Sequence, residues 1–148
     1  MNKNPDLELD QLLGYQVNRA AIVFRKQLTI RFKKSGCNLT PEDFSIISRL
    51  WEENGISQSL LVEKTLKDKT RVTKLLGSLI KKNYIYKVTD KSDRRNKTIF
   101  LTEEGDRLKK IIIPIVLELN EQATDGIDSD DVLLLQTLLG KLIGNLGN

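Results

Sequence analysis

The sequence predicts a mainly α-helical fold carrying one small β-wing, and three observations predict it. Apolar residues recur at three- and four-residue steps over most of the chain, the period of helices with one buried face. Between Ser57 and Lys82 two short helical stretches, each opened by a capping residue, follow one another across a brief turn. Two strand-like runs, 84–88 and 98–101, then bracket the polar segment 89–96, which is too long and too charged for a two-residue turn and reads as a hairpin loop. A length of 148 residues is one domain's worth.

Each element has a local reason. Leu9, Leu13, Val17, Ala20, Phe24 and Leu28 share a helical face, so residues 7–33 read as one long amphipathic helix that tolerates Gly14 at a cost of about 1 kcal/mol. Ser35-Gly36-Cys37-Asn38 breaks it. Thr40 followed by Pro41 is an N-cap with a first-turn proline, opening a helix that buries Phe44, Ile47 and Leu50 and stops near Asn54-Gly55. Ser57 caps the next helix, which buries Leu60 and Leu61, and Leu66-Lys67 makes the turn. Asp68 caps a third that runs to about Lys82 on the stripe Val72, Leu75, Leu76, Leu79 and Ile80 and ends at Asn83 in a left-handed conformation.

The C-terminal third is more apolar than a surface needs. Residues 111–117 are apolar all round, with Pro114 expected to kink their helix, and 132–146 is nearly so. Two helices apolar on every side exceed what one small domain can cover, so a partner subunit is the economical explanation. The expected organisation is a single unit, residues 39–105 forming a helix-turn-helix lobe with its wing, and 7–33 with 106–148 forming a helical dimerisation region. Ile112, Ile115, Leu135, Leu139, Leu142 and Leu146 are its candidate interface residues.

Composition narrows the function. One cysteine, Cys37, rules out an internal disulfide and the usual structural zinc sites, and the absence of histidine removes the commonest general base. No glycine-rich phosphate loop and no metal-ligand cluster is found, so neither an enzyme, a metal nor a cofactor is expected. No run of 18 apolar residues spans a bilayer, and Met1 to Asp10 has Asp6, Glu8 and Asp10 where a secretory signal needs an apolar core; a cytoplasmic address and no membrane partner are expected. Charge is uneven. Between Lys64 and Lys97 twelve basic residues stand against Asp68, Asp90 and Asp93, a local +9 in a chain whose remainder carries −5. Such a segment marks a polyanion site, since neutralised phosphates release counterions; lysines kept for solubility are the bland alternative, but here they coincide with the helix pair and ribbon.

That coincidence points to double-stranded DNA. The major groove admits one α-helix, and the helix from Asp68 turns Lys69, Thr70, Thr73 and Lys74 away from its apolar stripe near its N-terminal end. Threonines can bond bases or meet thymine methyls, while Lys69, Arg71 and Lys74 suit guanine edges or phosphates. Ser57, Gln58, Lys81, Lys82 and Lys91 are candidate phosphate contacts. At the hairpin tip, Asp93 can pair with one of Arg94 and Arg95 and leave the other pointing outward to an adjacent minor groove.

Residues 39–105 resemble the MarR/SlyA family of winged helix-turn-helix transcriptional regulators. The resemblance rests on Leu39-Thr40-Pro41, Ile56-Ser57-Gln58-Ser59-Leu60-Leu61, Thr70-Arg71-Val72-Thr73-Lys74-Leu75, Asp93-Arg94-Arg95 and Leu101-Thr102-Glu103-Glu104-Gly105, in that order. Asn83 departs from the glycine usual in the family, a replacement that a left-handed cap accepts. The resemblance implies a homodimer on a pseudo-palindromic operator, repression as the commoner mode, and release by a small aromatic or anionic effector bound between the dimer helices and the lobe, where Tyr15, Phe24 and Trp51 are candidates against the ordinary reading of core packing. It assigns Arg94 to the minor groove and Arg95 to the Asp93 pair, roles the sequence alone leaves exchangeable. Cys37 follows the first helix instead of opening it, as the cysteine of peroxide-sensing relatives does; Lys33 and Lys34 can lower its pKa, so a redox-responsive regulator is one alternative. A winged-helix interaction module without DNA binding is the other.

Overall fold

In a computed structural model describing residues 7–147, a 3-10 turn (Leu9–Gln11) precedes helices α1 (Leu13–Lys34) and α2 (Pro41–Glu52), strand β1 (Ile56–Ser57), and helices α3 (Gln58–Thr65) and α4 (Lys69–Lys81). Strands β2 (Ile85–Thr89) and β3 (Lys97–Leu101) and helices α5 (Glu103–Ala123) and α6 (Ser129–Leu146) follow. The antiparallel sheet has the order β1-β3-β2, with Ile56 opposite Ile99 and β2 paired to β3 from Ile85↔Leu101 to Thr89↔Lys97. The mainly helical class with a small β-wing is thus the observed one. Residues 1–6, part of the segment read for export, lie outside the described residues. Among the described residues no helix is long and apolar enough to cross a membrane.

The capping residues act as their chemistry requires. Thr40 Oγ1 accepts from the Asp43 N–H and the Asp43 carboxylate accepts from the Thr40 N–H, both at 3.1 Å, a complete capping box ahead of Pro41. Ser57 accepts from the Leu60 N–H at 3.2 Å and Asp68 from the Arg71 N–H at 2.7 Å. Asn83 has φ +63°, and the N–H groups of Asn83 and Tyr84 donate to the carbonyls of Ile80 and Leu79, so α4 closes in a Schellman motif. Beyond one-residue shifts in the wing strands, one helix start and one strand differ from expectation. The first helix starts at Leu13 because Leu12 is extended, and Asp10 holds the turn before it, accepting from Gln16 at 2.8 Å and pairing with Arg19 at 3.1 Å. Strand β1 was not expected at all; two residues are too short to show an alternation.

One core joins the lobe. Ile46, Ile47 and Leu50 of α2, Leu61 of α3, Val72, Leu76 and Leu79 of α4, and Ile85 and Ile99 of the sheet are buried together. Phe44, expected inside, is half-buried at the margin, its ring 5.8 Å from Phe32 and 6.1 Å from Trp51; Leu60 is half-buried and Ile80 exposed, lying beyond the face that meets α2. Ile112 is fully buried in this same core, so the first half of α5 serves its own lobe and Ile112 is no interface residue. Helix α5 runs on through exposed Pro114, which lacks the N–H that the Lys110 carbonyl would accept. Arg31 ties α1 to α5, pairing with Glu118 at 3.7 Å and bonding Gln122. Helix α6 buries no residue at all, although Leu133, Leu134, Leu135, Leu138 and Ile143 lie along it.

The wing is fastened where it returns to the helices. Thr102 donates its hydroxyl to the Asn83 carbonyl at 2.6 Å, accepts from the Gly105 N–H at 3.1 Å, and gives its own N–H to the Tyr84 carbonyl at 3.0 Å. Gly105 passes so close that a Cβ would stand 1.9 Å from the Tyr84 carbonyl oxygen, and its carbonyl accepts from Trp51 Nε1 at 2.9 Å. Gly105→Ala should therefore destabilise the fold by about 1–3 kcal/mol, the cost of forcing an over-packed contact. Gly77, mid-α4 with nothing within 4 Å of where a Cβ would stand, should do the opposite. Gly77→Ala should stabilise by about 0.5–1 kcal/mol. Denaturant unfolding of the two variants measures both, and equal effects would contradict this account of the junction.

Candidate nucleic-acid interface

Burial of Val72, Leu75, Leu76 and Leu79 fixes which face of α4 looks outward. Lys69, Thr70, Thr73 and Lys74 are all exposed on its first two turns, as expected. Thr73 is already organised: its hydroxyl donates to the Lys69 carbonyl at 2.8 Å and accepts from Gln58 Nε2 at 3.1 Å, which leaves its methyl and one lone pair for an incoming base. Gln58 thus holds the outward face of α4 from α3, while its Oε1 is buried without a partner among the described residues. Ser57 is engaged in capping and lies 3.2 Å from the Ser59 hydroxyl.

The wing brings cations to the same place. A cleft of about 460 Å³ opens between the N-terminal end of α3, Lys69 at the start of α4, and Arg94, Arg95 and Lys97 at the end of the wing loop. Four positive side chains face hydroxyl and amide groups of Ser57, Gln58 and Ser59 across it. Such a concavity suits a phosphate, which takes hydrogen bonds from Ser and Gln side chains and charge from Lys and Arg. The loop is held from within. Asp90 accepts from the Ser92 N–H and hydroxyl at 2.9 and 2.8 Å, bonds that keep its carboxyl below the usual carboxylate range. Asp93 accepts from the Arg95 backbone N–H at 3.0 Å. That replaces the expected side-chain pair: a carboxylate two residues upstream reaches the main chain of the turn first, and among the described residues neither Arg94 nor Arg95 is in an ion pair.

Two basic residues are not where the sequence put them. Lys82 is only 17% exposed and its Nζ lies 2.7 Å from Asp43, itself 2% exposed, so it neutralises a buried carboxylate and is no phosphate contact. Arg71 turns back to Glu42, Nε donating to Oε2 at 2.7 Å. Lys81 and Lys91 are exposed, at the end of α4 and in the wing loop. The sequence reading missed Glu42, Ser59 and Lys97. Lys97 was visible in the charge count, whereas Glu42 meets Arg71 29 positions away and left no local signal.

Comparison with known proteins agrees with this geometry. The profile of the family described as transcriptional regulator SarA/Rot matches residues 29–112, more than half of the chain. The chain belongs to the SarA/Rot family of transcriptional regulators. SarZ, an HTH-type transcriptional regulator of Staphylococcus haemolyticus, is 31% identical over 103 residues, 70% of this chain and 66% of SarZ. The transcriptional regulator HosA of Escherichia coli O127:H6 is 22% identical over 118 residues, 80% of this chain and 87% of HosA. Among solved structures, a putative MarR family regulator from Listeria monocytogenes complexed with 26mer DNA superposes with a TM-score of 0.83 at 27% identity, covering 92% of this chain and 89% of that one. The MarR/SlyA resemblance read from residues 39–105 therefore holds, and this SarA/Rot-family chain is a winged-helix transcriptional regulator, not an enzyme.

The candidate effector residues are not gathered in one place. Tyr15 and Phe24 are exposed on α1, while Trp51 lines a separate cavity of about 710 Å³ between α2, the end of α3 and α5. Cys37 is half-buried in the α1–α2 loop, with its N–H 3.3 Å from Ser35 Oγ.

The wing's charge has a measurable signature. Burial, and then the ammonium of Lys97, hold Lys87 below the ordinary lysine value of 10.5. A depressed lysine means that the unfolded chain binds the proton more readily, so this group's contribution to stability rises as pH climbs through the interval between the lowered folded value and 10.5. In an NMR titration of the lysine Cε signals Lys87 should titrate early, and Lys97→Met should move it part of the way back. No movement would assign the whole depression to burial.

Proposed function

We propose that this regulator binds a pseudo-palindromic DNA operator as a homodimer, with α4 in the major groove and Arg94 in the flanking minor groove, and represses transcription from it. One observation carries the DNA reading: Lys69, at the start of the exposed face of α4, and the wing arginines border one cationic cleft. Lys69, Thr70, Thr73 and Lys74 read bases or flanking phosphates, and Ser57, Gln58 and Arg95 hold backbone phosphate beside them. Repression follows the MarR resemblance, and so does a cytoplasmic address, where the operator is. The dimer reading rests on α6, where no residue is fully buried and Leu133, Leu134, Leu135, Leu138 and Leu146 are exposed, and on the exposed Leu13, Val17 and Phe24 of α1. Leu135, Leu139, Leu142 and Leu146, with Ile115, are the proposed interface, and residues 7–33 with the end of α5 and α6 the dimerisation region.

The cavity under Trp51 is the proposed effector site, in place of a pocket containing Tyr15 and Phe24. Its volume lies in the range of small-molecule sites, Phe44, Trp51 and Ile113 give it apolar walls, and Ser45, Ser48 and Lys109 supply polar groups. Lys109 has no carboxylate within 4 Å among the described residues, so an aromatic anion fits the chemistry.

Light scattering at micromolar concentration should give twice the chain mass of 16.9 kDa, and Leu135→Asp should reduce it to one. A monomeric unaltered chain contradicts the dimer. On a duplex selected by the protein from a random pool, Thr73→Ala should cost about 1–3 kcal/mol, with far less effect on shuffled DNA. Arg94→Ala should weaken binding most where the flanks are A·T-rich, because narrow minor grooves carry enhanced negative potential. Equal losses on A·T and G·C flanks would make the wing a charged arm only.

A further inference from the structure

We infer that the acidic pair Glu42-Asp43 at the start of α2 is a positioning device that mounts the recognition helix at both ends and so sets its register in the major groove. Glu42 takes Arg71 in the first turn of α4, Nε to Oε2 at 2.7 Å. Asp43 takes Lys82 at the C-cap of α4, at 2.7 Å. Arg71 and Lys82 are eleven residues apart, about 16 Å along a helix rising 1.5 Å per residue, so two adjacent residues of α2 hold nearly the whole length of α4. Between the two ties, Val72, Leu76 and Leu79 pack with Ile46, Ile47 and Leu50. Apolar packing fixes the face of α4, and a directional polar tie at each end adds to it a fixed position along the helix axis.

The two ties differ in kind. Asp43 is itself fixed by the capping box, its carboxylate accepting from the Thr40 N–H while Thr40 Oγ1 accepts from the Asp43 N–H, so Lys82 is anchored to the rigid first turn of α2. Removing either partner there strands a buried charge. The Glu42–Arg71 pair is partly exposed, 39% and 41%, and a pair at the surface adds little stability, which makes its alignment against the groove-facing turn the more telling property. It also withholds from DNA the one arginine of α4, leaving Lys69 and Lys74 as the outward cations of its first two turns and Lys81 at its end.

This inference rests on the proposal that α4 reads operator DNA, and its test separates the two. The full chain first selects a duplex from a randomised pool; a shuffled duplex of the same composition is the control. Failure of the unaltered chain to enrich any sequence overturns the operator reading, and this inference with it. Given a selected duplex, Glu42→Gln should lower the ratio of selected to shuffled affinity about tenfold, the scale of one mismatched base pair, with unchanged dependence on salt. Lys82→Met should lower the same ratio with the salt slope also unchanged, whereas loss of a phosphate contact would reduce that slope by about 0.9. Thermal unfolding checks that both variants are folded; if Lys82→Met is not, Glu42→Gln decides alone. A ratio within twofold of the unaltered chain's, or tighter binding of Glu42→Gln to both duplexes as expected from deleting a negative charge and freeing Arg71, overturns the mount.

Discussion

The seam between α2 and α4 is the constraint on which the rest of the molecule depends. Ile46, Ile47 and Leu50 meet Val72, Leu76 and Leu79 there, each fully buried aliphatic side chain contributing about 1.5–3 kcal/mol relative to exposure. Because the stripe of α4 is committed to this seam, its opposite face has no choice but solvent, and the residues on that face are short or cationic. Gln58 reaches across from α3 to organise Thr73, and the Schellman turn at Asn83 directs the chain into β2, so the wing leaves the lobe beside the helix it flanks. The junction of Tyr84, Thr102 and Gly105 then returns it to α5. The cationic cleft is the geometric product of these steps.

The termini follow a different logic. Helix α5 is shared: Leu108 and Ile112 complete the lobe core, while its second half and α1 and α6 carry apolar side chains that the chain does not cover. A lobe that is finished and a helical region that is not is what a protein needs if its DNA-reading unit must be rigid and its assembly intermolecular. The cavity beside Trp51 lies on the lobe, walled by α2, the end of α3 and the first half of α5. A ligand at this proposed site would touch the same helix that holds α4, so occupancy and the proposed reading would share a structural member.

Local chemistry was legible in the sequence, and tertiary chemistry was not. Thr40, Ser57 and Asp68 announced three helix starts, Asn83 announced a left-handed exit, and the charged segment before Lys97 announced the wing, because each acts on backbone groups within a few residues. Lys82 and Arg71 were read as contacts to DNA since a basic residue on a basic helix looks alike whether it faces phosphate or a carboxylate 39 or 29 positions away. Ile112 was read as interface for the same reason: an all-apolar run does not say which side meets its own lobe. Asp93 was paired with an arginine side chain, and the closer backbone N–H took it instead. Strand β1 is two residues long and borrows its partner from β3, beyond any pattern a window can hold.

The central claim is that two finished reading lobes act together through unfinished helices. Hydroxyl-radical footprinting on a duplex selected by the protein tests it most directly. A dimer with α4 in successive major grooves should protect two patches related by a dyad, about one helical turn of 10–10.5 base pairs apart, together with the flanking minor grooves where the wings insert. A single protected patch at saturation, with one chain bound per duplex, would contradict the account.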